Sequence, residues 1–242
     1  MKQITASLTT LATVGLLLCA CDSDSAGEGT LRFAAWGEDF IEQGIPADEF
    51  VDGWDLTFDS FVVSIEGVDA DGEALPGSFD VELTDVSGGM GHELGMLVVS
   101  ADRTPMVSWT LTSLEARGSA TRDGVTKTFD WAFDVSPRYI ECDTETPVAD
   151  GEMTDVFLTV HGDHLFFDDL DSSEPQVAFD LIADADADDD GAVTLDELRG
   201  QTLDGQVRYQ VGGRDISDLH GFIEAQALLV GHINGEGHCE IE

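Results

Sequence analysis

Between Asp186 and Glu197 the chain places oxygen donors at the intervals a hard divalent cation needs. Calcium takes roughly six to eight oxygen ligands, and a twelve-residue loop supplies them from positions 1, 3, 5, 7, 9 and 12. Those positions hold Asp186, Asp188, Asp190, the carbonyl of Ala192, Thr194 and Glu197. Position 6 must turn with positive φ, which glycine adopts without steric cost, and Gly191 stands there. Acidic chains produce Asp-x-Asp-x-Asp runs by chance, but acidity alone requires neither Gly191, Val193 nor Glu197. The segment is expected to bind Ca2+, with Glu197 gripping through both oxygens.

A second chemistry is open to the histidines. His161 and His164 sit in Val-His-Gly-Asp-His-Leu, and His232 and His238 flank Ile-Asn-Gly-Glu-Gly. Paired imidazoles suit zinc or copper, although the same residues also serve as hydrogen-bonding loop histidines. If residues 138–142 and 153–161 formed one hairpin, His161 would lie far from Cys142. His238, beside Cys239, would then stand apart, whereas His232 could still reach His161 and His164. A third group, Met90, His92 and Met96, combines thioethers and an imidazole in a glycine-rich loop, a soft set that suits copper if it is more than a loop. His92-Glu93 begins like a zincin helix, but Met96 stands where its second histidine belongs. A nucleophile elbow, a phosphate-binding glycine loop and a dinucleotide fingerprint are all missing from the sequence, so no enzyme is expected.

The flanks of the acidic loop fit helices. Ser173 can cap, Pro175 suits a first turn, and Val177, Ala178, Leu181, Ile182 and Ala185 form an apolar stripe; Gly200 ends a brief leaving helix. Over about thirty residues the segment resembles the EF-hand family, which implies calcium. EF-hands usually pair and this one has no partner in sequence, so its outer face must pack on the rest of the chain.

The N-terminus reads Met1-Lys2, then an apolar run from Leu11 to Leu18, then Leu18-Cys19-Ala20-Cys21. The run is shorter than the ~20 residues a spanning helix needs, and the pattern resembles a bacterial lipoprotein signal peptide. That resemblance implies cleavage before Cys21, lipid on Cys21, and a place in the cell envelope, periplasmic or on the outer surface. Membrane contact would run through the anchor alone. Residues 31–168 also resemble, at the level of pattern, the copper-binding lipoproteins associated with methanobactin operons, through Leu56 to Ile65 and Val156 to Phe167. This implies a transition metal and assigns no ligand.

Processing would leave Cys142 and Cys239, which in an oxidising compartment are expected to form a disulfide. Closing a loop of about a hundred residues contributes roughly 4 to 5 kcal/mol on the entropic model. The formal charge of -40, from 10 basic against 50 acidic residues, argues against nucleic acid as a partner. Short β-rich runs at regular spacing from Leu31 to Val160 argue an antiparallel sandwich. After Phe167 the texture turns helical, ending in an apolar stripe of Ile216, Leu219, Ile223, Ala227, Val230 and Ile233. The expected organisation is α+β: residues 1–20 a signal peptide, 21–30 a tether, 31–168 the sandwich, 169–242 a helical EF-hand unit packed on it. The expected function is a calcium-binding envelope lipoprotein with a structural or surface-interaction role, or else a copper or zinc carrier using His161, His164 and His232.

Overall fold

Two very long strands organise the molecule: β2 (Asp55–Ala70) and β6 (Met106–Arg122), paired antiparallel along nearly their whole length. Both alternate apolar and polar residues, as a half-buried strand must. In β6 the buried set runs Val107, Trp109, Leu111 and then Leu114, Ala116, Gly118 and Ala120. The phase flips where the register slips opposite Ser64 and Ile65 of β2. A β-bulge inserts one residue on one strand, so the apolar face continues inward through a bend. Gly118 allows another such bend, since a Cβ there would lie 2.2 Å from the Thr57 carbonyl oxygen.

The computed structural model describes residues 27–242; the expected signal peptide and Cys21, the expected lipidation site, lie outside the described residues. In chain order the remaining elements are β1 (Glu28–Trp36), α1 (Glu38–Glu42), β3 (Glu73–Ala74), β4 (Ser78–Glu82), β5 (His92–Ser100), β7 (Val125–Phe133), β8 (Arg138–Asp143) and β9 (Met153–Val160). A 3-10 turn (Gly162–Phe166), α2 (Asp180–Ala183), β10 (Ala192–Val193), α3 (Leu195–Gly200), α4 (Leu219–Ala227), β11 (Gly231–Ile233) and β12 (Glu240–Ile241) complete it. One sheet has the order β11-β9-β1-β5; the other runs β10-β7-β6-β2-β3, with β4 also on β2 and β8 joining β6 to β12. Both curl around one apolar core that includes Phe33, Phe61, Trp109, Trp131, Tyr139 and Phe222. Phe166 sits within it, with ring centroids 5.9 to 6.3 Å from those of Phe50, Phe58, Phe129, Trp131 and Phe179.

The expected α+β division, a purely antiparallel sandwich followed by a helical EF-hand unit, is overturned. Strand accounts for 46% of the structure against 13% helix, and the segment after Phe167 is woven back into both sheets. β10 pairs parallel with β7, β11 antiparallel with β9 and β12 antiparallel with β8, while β1 and β9 are themselves parallel. The apolar stripe before the acidic loop is buried as expected, but only Asp180–Ala183 is helical. Val177 instead bridges Phe50 and Phe167, and its carbonyl accepts the Val51 amide at 3.0 Å. Spacing that suits a helix also suits a chain pressed between two edges, and here the unpaired edges won. The last expected helix divides for the same reason: α4, capped by the Asp218 side chain, ends at Ala227, and Gly231 to Ile233 pairs with β9.

The disulfide between Cys142 and Cys239 is present and fastens the C-terminal segment to β8. β8 and β9 do not form a hairpin with one another; β8 belongs to the larger sheet and β9 to the smaller.

Candidate metal centres

β9 delivers Leu158 and Val160 to the core and then stops, because Gly162 must pass against Ile41 and Phe58, where a Cβ would lie 2.7 Å from Ile41. Leu165 and Phe166 are buried and anchor the 3-10 turn from below, which leaves His161, Asp163 and His164 crowded on its outer side. The second contributor is β11. Gly231 crosses directly over the Trp109 and Tyr139 rings, where a Cβ would approach Tyr139 to 2.3 Å, and its amide donates to the Tyr139 hydroxyl at 3.1 Å. Pairing sets His232 opposite Thr159. Residues 234–237 close the end: the Phe157 amide donates to Asn234 Oδ1 at 2.9 Å, and the Gly235 amide to Thr159 Oγ1 at 2.8 Å.

Three imidazoles therefore meet. The centroid of His161 is 5.1 Å from His164 and 4.5 Å from His232, and His164 is 5.1 Å from His232. His238 joins at the rim, 5.9 Å from His232. Ligand atoms of His161, Asp163 and His164 lie within 4.8 Å of one another, and so do those of Glu38, His161 and Glu236. His164 Nδ1 lies 2.9 Å from the Leu229 carbonyl oxygen, which holds a proton on Nδ1 and leaves the Nε2 lone pair free. A carbonyl behind a metal-ligating histidine is the usual means of fixing its tautomer. His232 Nδ1 and Asp163 Oδ1 are buried without a hydrogen-bond partner among the described residues.

The electrostatics keep His164 and His232 neutral. Burial, reinforced by neighbouring His161 and His232, pushes His164 down to about 3. Burial and the adjacent histidines push His232 down to about 4. Asp163 moves the other way, raised by burial to about 6 although His161 opposes the shift. Neutral imidazoles with available lone pairs are the form that binds a metal.

These shifts give metal-free protein a defined acid response. Between about pH 4 and 6.5 the unfolded chain protonates both histidines while the fold does not; Asp163 is protonated in the fold and ionised in the unfolded chain over much of that window. Counting His164, His232 and Asp163, the unfolded state holds about one extra proton, so stability falls as pH falls by at most about 1.4 kcal/mol per pH unit, and Glu38, also raised by burial, offsets part of this at the acid end. Comparing urea midpoints of the chelated parent and His164→Asn isolates the histidine: the parent should lose stability more steeply from pH 6.5 to 4. Identical pH profiles would show that His164 is not held neutral.

The Met90, His92 and Met96 group is not gathered in this way. His92 Nε2 faces the Asp85 carbonyl at 3.1 Å, the Met90 carbonyl faces Arg32, and Met96 lies opposite Arg32 on β1 and is exposed. Two strands separate β5 from β11.

The acidic loop closes on itself. Ligand oxygens of Asp186, Asp188 and Asp190 lie within 4.8 Å of one another. The two Asp186 oxygens accept the amides of Asp190 and Gly191, at 3.2 and 2.9 Å, and Gly191 turns at φ 89. Ala192 and Thr194 follow in place, and Glu197 joins the ends: Oε1 accepts the Ala187 amide at 3.0 Å while Oε2 completes a capping box with Thr194. The loop's short strand pairs with the larger sheet. Ala192 and Val193 pair with Thr128 and Phe129, and the Trp131 indole donates to the Val193 carbonyl at 2.8 Å. Lys127 Nζ lies 2.5 Å from Asp186 Oδ2, and this contact, with the Gly191 amide, holds Asp186 below the usual carboxylate range.

Sequence reasoning missed Glu38, Asp163 and Glu236 as members of the histidine cluster. Asp163 stood in plain view between two histidines; Glu38 and Glu236 are distant in sequence and carried no signal. Comparison with protein-family models, curated proteins and solved structures finds no match.

Proposed function

We propose that this chain binds a transition metal ion, zinc or copper, at His161, His164 and His232 with Asp163, and works as a carrier or store of that ion. The observation that carries the reading is the meeting of three imidazoles from two segments about seventy residues apart, two of which, His164 and His232, burial holds neutral. Nitrogen-rich donors with one carboxylate suit a borderline ion and serve calcium poorly.

A second role is favoured by the docking of β10 on β7: calcium in the loop Asp186 to Glu197 would brace the C-terminal segment against the larger sheet. In this reading calcium reinforces the fold while the histidines handle the cargo. The pattern around Cys21 supports anchoring at the cell envelope, and no protein partner is assigned.

Titrating the purified chain with Zn2+, Cu2+ and Ca2+ tests both roles. One zinc or copper ion should bind with calcium saturating, and calcium should not displace it. Full competition by calcium would place both ions on carboxylates and remove the histidine reading.

A further inference from the structure

His161 belongs to two ligand sets, and the sets differ in depth. The inner set is His161, Asp163 and His164, with His232 alongside; the outer set is Glu38, His161 and Glu236. His161 is 6% exposed, Asp163 Oδ1 is buried, and the Glu38 side chain is 26% exposed. Glu236 is exposed at the surface. Ligand atoms at bonds of ~2.1 Å around a tetrahedral ion lie ~3.4 Å apart, so either set, now within 4.8 Å, closes by a contraction of the order of an ångström.

We infer that the two sets are successive stations of one ion: Glu38 and Glu236 capture the cation at the surface, and His161 passes it inward to Asp163 and His164. This rests on the metal reading of the histidine cluster. The local backbone is shaped for it. Glu38 stands at φ 55, the left-handed region that costs a non-glycine residue energy, and there its Oε2 lies 3.7 Å from His161 Nδ1. Gly235, at φ 84, brings the loop before Glu236 against Glu38, with its Cβ position 3.5 Å from Glu38 Oε1. The Gly235 carbonyl lies 3.3 Å from His161 Nε2. A proton on Nε2 donated to that carbonyl leaves the Nδ1 lone pair facing Glu38.

The chemistry explains why two stations help. A dication arriving with its water shell must shed that water before entering a buried neutral pocket, and burying an uncompensated charge is costly. Two carboxylates at the rim replace part of the shell and neutralise the charge. Imidazoles then displace the harder oxygen ligands one at a time, with His161 bound throughout, and no bond order or oxidation state changes.

Stopped-flow absorption with Co2+, in saturating calcium to occupy the acidic loop, separates the steps. Nitrogen-rich four-coordinate Co2+ absorbs far more strongly than oxygen-rich six-coordinate Co2+. The parent should show a weak early spectrum whose rate rises with Co2+ concentration, then a slower, concentration-independent rise to an intense one. Glu38→Gln with Glu236→Gln should lower the capture rate constant about tenfold, within the range of electrostatic steering, and leave the final spectrum and Kd unchanged. Glu66→Gln with Glu115→Gln removes the same charge from the larger sheet and serves as control. A capture rate matching that control overturns the route; so does loss of the intense final spectrum, which would make the glutamates resting ligands. If the parent takes up no Co2+ at all, the histidine reading itself fails and the route goes with it.

Discussion

Replacing His164 by alanine should lower the affinity for Zn2+ or Cu2+ by more than about a hundredfold and leave the chelated protein folded. Losing a group that merely orients a ligand typically costs ~10 to 100-fold, so losing a donor should cost more. His164 is the donor whose tautomer is most firmly set, through Nδ1 on the Leu229 carbonyl, and its Nε2 has no hydrogen-bond partner among the described residues. The fold should survive because Leu165 and Phe166, not His164, fill the core beneath the turn. The variant loses ring packing on Phe167, whose centroid is 4.5 Å away, but no longer needs to hold an imidazole neutral at acid pH. Competition against a chromophoric chelator gives the affinity, and the thermal midpoint in chelator checks the fold. Met90→Leu with Met96→Leu should leave the affinity where it is. A His164→Ala protein that binds within a few fold of the parent would move the site elsewhere.

Legibility followed locality. The closed shape of the acidic loop was readable because its carboxylates, its glycine and its strand contact lie within twelve consecutive residues, and the chain closes there as a unit. The His161 and His164 pair was readable for the same reason. What could not be read was which edges would accept the C-terminal segment. Val177, Ile233 and Ile241 look the same whether a helix buries them or a strand does; Val177 went between Phe50 and Phe167, and the other two went to open edges on β9 and β8. The parallel pairing of β1 with β9 is a contact across about 120 residues, and it removed the simple hairpin that the Arg138 and Met153 segments invite. That pairing places β9 between β1 and β11 and so decides that His232 faces the turn. Glu38 and Glu236 reach the cluster from opposite ends of the chain, through α1 and the loop after β11, where no local pattern points to a metal.

The second large effect concerns Lys127, which places an ammonium on Asp186 at the first position of the loop. Without a cation, Asp186, Asp188 and Asp190 repel one another within ligand distance, and that repulsion opposes the closed shape. Lys127 relieves part of it, and a calcium ion entering the loop would have to compete with it for Asp186 Oδ2. Lys127→Met should therefore act with opposite signs in two conditions. In chelator its thermal midpoint should fall below the parent's, because the loop loses its stand-in charge. In calcium it should rise more steeply, with calcium affinity increased by about tenfold, since opposing charge no longer has to be displaced. For the parent, a Kd of order 10⁻⁴ to 10⁻³ M is expected of an extracellular-type site, and calcium at a hundred times Kd adds about 2.7 kcal/mol. Glu197→Gln separates the loop from general surface acidity. It removes a charge and the two-oxygen grip while keeping the side-chain size, and it weakens the link between Ala187 and Thr194. Its midpoint should respond to calcium no more than to magnesium at equal ionic strength. An equal calcium response in parent, Lys127→Met and Glu197→Gln would show that the ion is sensed by the acidic surface as a whole, and the loop would then be a turn that β10 holds in place without a metal.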